Sequence, residues 1–369
     1  MSKVFRQQTY RETVGIYTDN TNISSISHEI KHNLNTPSKF TTIYKPNSID
    51  QNIMLVKCSC LGCVNPKCMK FSIEEFILTD ERLSGFPVDA DDSVCPLDAI
   101  VWERGSHTPT IIANRCINCG ICARRCPAGA IYSNGENAVI HIGERNIEFL
   151  PKTVENLEKH TAQINELLQC NHVGIFVESS EKSISTLYKK LYAKLNDPQT
   201  KYRFSNLIVR NLFLVLGNRC IIRRRGDIYF RIDAILEDTP VIGVVEVEFN
   251  KESLESPRAI LDDVAVLVSR YEIEKHQIKP FIVSLEFPNI RTEYWRVIKD
   301  IRDVLEIQIN SLSLGALCIL VWQFVDAPIS KVDFYADIDS PSIKTAIKKA
   351  CVGFPIADII NFAVLEPKK

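Results

Sequence analysis

The sequence lacks an excess of charge of either sign. Its 44 basic and 45 acidic side chains leave a formal net charge of −1, so no global field draws it to nucleic acid or anionic lipid, and any such binding needs a local patch. A membrane-spanning run is also missing. The longest apolar stretch, residues 312–322, is well short of the ~18–20 residues a membrane helix needs and is expected to form a buried strand. The opening residues, MSKVFRQQTYRE, are polar throughout and lack the apolar segment of an export signal. A cytoplasmic protein that does not enter membranes is the expectation. No glycine-rich dinucleotide or flavin fingerprint is present, which argues against a self-contained oxidoreductase.

What is present is an ordinary soluble composition, 45% hydrophobic and 24% charged. A chain of 369 residues is long enough for two or three domains and buries a core without covalent staples. Its 13 cysteines therefore call for a chemical explanation. Nine of them fall between Cys58 and Cys126, and the rest (Cys170, Cys220, Cys318, Cys351) are scattered among apolar residues. Without an export signal a disulfide framework is not expected. The dense block reads as metal ligation, and the scattered four read as small core residues.

The strongest motif is Cys116-x2-Cys119-x2-Cys122-x3-Cys126-Pro127, in RCINCGICARRCPAGAIY. Three closely spaced thiolates wrap one iron–sulfur cluster, while the fourth, before proline, reaches another. Gly120 permits the tight turn that successive ligands require. A second block reads KCSCLGCVNPKCMKFS and is followed, 27 residues after Cys68, by SVCPLDAIVW. The fragment Cys-Pro-x-x-Ala-Ile occurs at both 95–100 and 126–131, an internal pseudo-twofold. Structural zinc and a single-cluster version are the competing readings, since four-cysteine zinc sites also use C-x2-C pairs.

These residues resemble the bacterial-type ferredoxins that carry two 4Fe–4S clusters. The segment Cys60-x2-Cys63-x4-Cys68, with Asn65-Pro66 inside, resembles the first motif of the ferredoxin-like electron-transfer subunits of molybdopterin oxidoreductases, with residues 69–94 inserted before the Cys-Pro pair. The crossed ligation of that family implies Cys60, Cys63, Cys68 and Cys126 around one cluster. It implies Cys116, Cys119, Cys122 and Cys95 around the other. Cys58 is left over, as an alternative to Cys60 or a bystander thiol.

The C-terminal half carries a weaker signal. Periodicity and punctuation predict helices at 184–195, 204–216, 256–271 (Ser256 as N-cap), 291–307 and 342–350, and strands at 220–223, 228–236, 241–249, 280–287 and 317–325. Helix 256–271 is expected to bury Ile260, Leu261, Val264, Leu267, Val268 and Tyr271. Asp233 lies in IYFRIDAIL, and Glu246 and Glu248 lie in VIGVVEVEF. On a strand Glu246 and Glu248 share one face. Carboxylates among so many valines are expensive unless solvated or bound to a cation, and Mg²⁺ favours such oxygen ligands.

This order of elements resembles the core of the PD-(D/E)xK nuclease superfamily. Asp233 matches its Asp and Glu246 its (D/E), while Glu248 stands where the family usually has Lys, and Ile232 replaces the Pro. The resemblance implies Asp233 and Glu246 as ligands of Mg²⁺ and Glu248 as ligand or water-orienting base. A dead nuclease fold and a solvated edge strand are the alternatives. The Arg223-Arg224-Arg225 turn is either a phosphate contact or a solvated tip, and Arg124-Arg125 reads as a small basic spot beside Cys126.

The fold expectation is an α+β and α/β multidomain chain: an arm (1–50), a two-cluster ferredoxin-like domain (51–136), a connecting α/β segment (137–200) and a restriction-endonuclease-like α/β core (201–369). The functional expectation is a Mg²⁺-dependent DNA endonuclease whose cluster module is structural or redox-sensing. The alternative is an electron-transfer protein whose C-terminal domain docks a redox partner protein.

Overall fold

The computed structural model describes residues 60, 66–103, 108–126, 130–140, 176–200, 203–227, 231–249, 253–351 and 356–368, apart from the side chains of Tyr132 and Ser253. The expected arm, Cys58, Cys63 and most of the connecting segment lie outside the described residues.

The cysteine-bearing part is built from short elements: helix α1 (Ile73–Phe76), strands β1 (Ile100–Glu103) and β2 (Thr108–Ile111), helix α2 (Ile121–Arg125), and strands β3 (Ile131–Ser133) and β4 (Ala138–Ile140). Each strand pair is an antiparallel hairpin, with Ile100 opposite Ile111 and Ile131 opposite Ile140. The two Cys-Pro-x-x-Ala-Ile fragments thus each lead into the first strand of a hairpin, the repeat that the sequence carries.

Helices α3 (Glu181–Leu195) and α4 (Phe204–Val215) lead into the larger part. Strands β5 (Arg219–Ile222), β6 (Ala234–Asp238) and β7 (Val241–Glu248) form an antiparallel meander. Helix α5 (Ser256–Tyr271) carries the chain over to β8 (Ile278–Ser284), and α6 (Tyr294–Leu305) to β9 (Asn310–Ser313), both parallel to β7. Parallel strands need such long crossovers. Helices α7 (Leu314–Trp322) and α8 (Lys344–Ala350) complete the described elements. The five strands stand in the order β5-β6-β7-β8-β9. Cys220, Cys318 and Cys351 are buried in the core, as their apolar settings predict.

Four expectations are corrected. Residues 317–325 form no strand: 317–322 belong to α7, which is buried on every side, and 323–325 follow its end. Ser313 Oγ accepts the amide of Ala316 at 3.0 Å and starts the helix. A short wholly apolar run has no periodicity to separate a buried helix from a buried strand. Ser256 is the first helical residue of α5, and Glu255 holds the cap position. On the same helix Asp263 is buried, while Val268 faces solvent. Strand β7 is the middle of five, which removes the solvated-edge reading of its glutamates.

The inserted residues 69–94 are a strap across the edge strand β5. Phe71, Phe76, Leu83 and Phe86 bury its apolar side. The amide of Asp89 donates to Ile222 O at 2.9 Å, and the amide of Arg224 donates to Pro87 O at 2.6 Å. Arg219 Nη1 reaches the carbonyls of Glu74 and Ile77, each at 2.8 Å. The buried Glu237 accepts the amide and hydroxyl of Thr79 at 2.6 and 2.5 Å. The strap satisfies an edge that would otherwise offer open backbone groups. Among the described residues no helix is long and apolar enough to cross a membrane.

Candidate metal centres

The thiol-bearing loop from Cys116 to Cys122 turns through two residues with positive φ, Asn118 at 63° and Gly120 at 86°. Asn118 is held by its side chain, whose Nδ2 donates to Ser133 Oγ at 2.9 Å. Four thiols, Cys95, Cys116, Cys119 and Cys122, line one cavity whose remaining wall is apolar, including Val94, Leu97, Ile117 and Ile121. All four are free thiols. Burial pushes Cys95, Cys119 and Cys122 up from the ordinary thiol value, and the neighbouring cysteines push the same way. Such a site holds thiolates only if it supplies cationic charge in return, which iron does.

Backbone donors already point at the sulfurs. Ala99 N–H donates to Cys95 Sγ at 3.2 Å, and Ala130 N–H donates to Cys126 Sγ, also at 3.2 Å. Cys116 Sγ accepts from Asn118 and Ala138, each at 3.4 Å. N–H donors to ligand sulfur stabilise the thiolate and tune potential. The four soft donors, the apolar wall and these amides fit an iron–sulfur cluster. Cys68 and Cys126 are buried and Cys60 half-buried, while Cys63 lies outside the described residues.

Arg124 and Arg125 form no surface spot, contrary to their reading as a basic patch. Arg124 is 0% exposed; its Nε donates to Val215 O at 3.1 Å, and its Nη2 to Val325 O at 3.2 Å and Asp326 Oδ1 at 2.7 Å. Arg125 grips Glu75 with two bonds of 2.6 and 2.9 Å and also donates to the carbonyls of Lys67 and Lys70. Both are tethers.

The comparisons agree with the thiol site. Residues 109–132 match the 4Fe-4S binding domain family. An uncharacterized ferredoxin of Methanocaldococcus jannaschii is 33% identical over 90 residues, covering 23% of this chain and 56% of that protein. The chain carries a ferredoxin-type iron–sulfur domain. It spans about half the length of the curated relative it matches. No solved structure matches the chain.

A second cluster of titratable groups gathers on the sheet. The β6–β7 ladder ends at the pair Ala234 and Val245; Asp233 just precedes β6, not within a strand as the expected 228–236 would have it, and Glu246 is the next residue of β7. Asp233 Oδ2 accepts the amide of Val247 at 3.0 Å, and Oδ1 accepts Asn206 Nδ2 of α4 at 2.9 Å. Burial raises Asp233 above the usual carboxylate range, against those two hydrogen bonds and the charge of Arg223. Glu246 is pushed up to about 8, first by burial, then by Asp233, Asp263 and Glu248. Asp263 is pushed up to about 7 by burial, with Asp233 and Asp262 adding to it and Arg223 and Arg231 opposing.

Asp263 is the member that sequence reasoning missed. It sits on the buried stripe of α5 with Ile260, Val264 and Leu267, and its buried Oδ2 makes no hydrogen bond. A charged residue at a core position of an amphipathic helix was the available signal. Lys251, close enough in sequence to stand in for the lysine that Glu248 replaces, lies outside the described residues. Among the described residues no three His, Cys, Asp or Glu side chains are arranged to hold a single ion as they stand.

Proposed function

We propose that this is an iron–sulfur protein with two 4Fe–4S clusters whose C-terminal sheet domain cleaves DNA with Mg²⁺. The cluster ligands would be Cys60, Cys63, Cys68 and Cys126 for the first, and Cys116, Cys119, Cys122 and Cys95 for the second. The equal Ala99–Cys95 and Ala130–Cys126 contacts support two equivalent halves. Helix α4, the β5–β7 meander, helix α5 and the parallel β8 follow the order that the nuclease resemblance implies.

The observation that carries the reading is the grouping of Asp233, at the start of β6, with Glu246 on the central strand β7 and with Asp263, whose buried Oδ2 makes no hydrogen bond. Carboxylates this close repel one another, and a divalent cation removes that penalty. Asp233 and Glu246 are the proposed ligands, with Glu248 as a further ligand or the base that orients water. Taking up the ion requires a side-chain rotation, which the half-exposed Glu246 and Glu248 can make. The bound cation would polarise the phosphodiester and lower the pKa of an attacking water, whose oxygen bonds to phosphorus as one P–O ester bond breaks. Arg223, whose charge reaches Asp233 and Asp263, is placed to offset phosphate charge.

Plasmid DNA incubated anaerobically with Mg²⁺ and cluster-loaded protein should be cut, and Asp233→Ala should abolish the cutting. Intact DNA after incubation with fully loaded wild-type protein overturns the nuclease reading. Clusters that exchange electrons reversibly in such an inactive protein would favour the electron-transfer alternative.

A further inference from the structure

Cys95 reaches its cavity alone, from a segment 21 residues ahead of Cys116. Something has to fix that segment against the Cys116–Cys122 loop before a cluster can be shared between them. The groups that do so come from the sheet-bearing part of the chain.

Asn211, on α4, is fully buried. Its Nδ2 donates to Ser93 O at 2.9 Å and to Val94 O at 3.0 Å, the two carbonyls immediately before Cys95. Arg210 Nε donates to Asn211 Oδ1 at 2.9 Å, which sets the orientation of the amide. Trp322, at the end of α7, is also fully buried. Its indole N–H is shared between Asn118 O at 3.2 Å and Cys119 O at 3.1 Å, inside the ligand loop. Lys190 Nζ, on α3, donates to Cys116 O at 3.2 Å and Glu136 O at 2.7 Å. Three helices outside the ferredoxin-type domain therefore hold backbone at, or next to, three of the four thiols.

We infer that the sheet-bearing part completes the cage of the second cluster, with Asn211 and Trp322 as its positioning residues. The inference rests on the ligand set proposed above. The cluster then acts as a clasp, since a group that binds only the assembled chain stabilises the assembly. The coupling is reciprocal: α4 and α7 hold the cluster, and the cluster holds α4 and α7.

The test uses the full chain purified anaerobically. Asn211→Leu and Trp322→Phe should each release iron from one cluster at least tenfold faster into a ferrous chelator. The electron paramagnetic resonance signal of that cluster should change while the other is retained. In the wild-type protein, stripping the iron should raise amide hydrogen exchange in residues 206–215 and 314–322 at least tenfold, a readout that needs no variant to fold. Wild-type release rates in both variants, or unchanged exchange in both helices, overturn the inference and leave the ligand set standing. A wild-type chain that binds no iron overturns both.

Discussion

Asp233 and Glu246 are the residues just past the last pair of the β6–β7 ladder, Ala234 and Val245, and the amide of Val247, next to Glu246, donates to Asp233 Oδ2. The ladder thus fixes one carboxylate with the backbone of the other's strand. It leaves Glu246 without equivalent help, and burial with three carboxylate neighbours raises it to about 8.

That asymmetry sets a pH dependence for the cation-free protein. In an unfolded chain these carboxyls ionise near pH ~4. Between that value and their folded values of about 8 for Glu246 and about 7 for Asp263, the native state holds protons that the unfolded state has lost. Their contribution to stability therefore falls as pH rises through this window and levels off above about 8. The melting temperature of wild-type protein in chelator should drop more steeply between pH 6 and 8.5 than that of Glu246→Gln. Parallel curves for the two proteins would show that Glu246 is not the titrating group.

Asp263→Asn separates a cation ligand from a structural residue. Its Oδ2 makes no hydrogen bond and is buried beside like charges, so removing the charge should leave the cation-free protein as stable as wild type, or more so. Added Mg²⁺ should raise the melting temperature of wild type and raise that of Asp263→Asn much less. A variant that melts far below wild type in chelator would instead mark Asp263 as a support of the fold.

Arg124 joins the thiol-bearing part to α4 and to the segment after α7. Arg124→Met strands the carbonyls of Val215 and Val325, while the half-exposed carboxylate of Asp326 passes to solvent. The expected loss is about 2–4 kcal/mol. Arg124→Lys should recover little of it, because a single ammonium cannot reproduce the guanidinium fork. Denaturant unfolding of both variants measures this, and a lysine variant equal to wild type would refute it.

The thiol site was legible because iron–sulfur ligation imposes strict spacing, and Cys95, Cys116, Cys119 and Cys122 do meet in one cavity. The carboxylate pair was legible in part, since strand alternation and register follow from the apolar pattern. Asp263 was not, because the carboxylates it meets, Glu246 and Asp233, lie 17 and 30 residues earlier in the chain, and its core position on the helix marks burial without naming what it faces. The arginines after Cys122 misled for a related reason. Adjacent charges read as solvated, whereas both are buried here against carbonyls supplied by distant segments. Residues 314–322 went wrong because an apolar run without period leaves the choice to the cap at Ser313.

Gly120 gives a last prediction with an internal control. Its φ of 86° is a conformation that costs an L-residue about 1–2 kcal/mol. A Cβ there would also lie 2.9 Å from Trp322 Cδ1 and 3.0 Å from Phe176 Cδ1. Both rings sit in the packed core, and Trp322 is tied by its indole N–H to the carbonyls of Asn118 and Cys119, so it cannot withdraw without releasing the ligand loop. Gly135 has a similar φ of 94°, and a methyl group added there would meet nothing within 4 Å. Gly135→Ala should therefore show the conformational penalty alone and keep its iron. Gly120→Ala should lose stability beyond that and retain less iron and sulfide after anaerobic purification. Equal iron content in the two variants would mean that the contact with Trp322 does not govern how the loop holds its thiols.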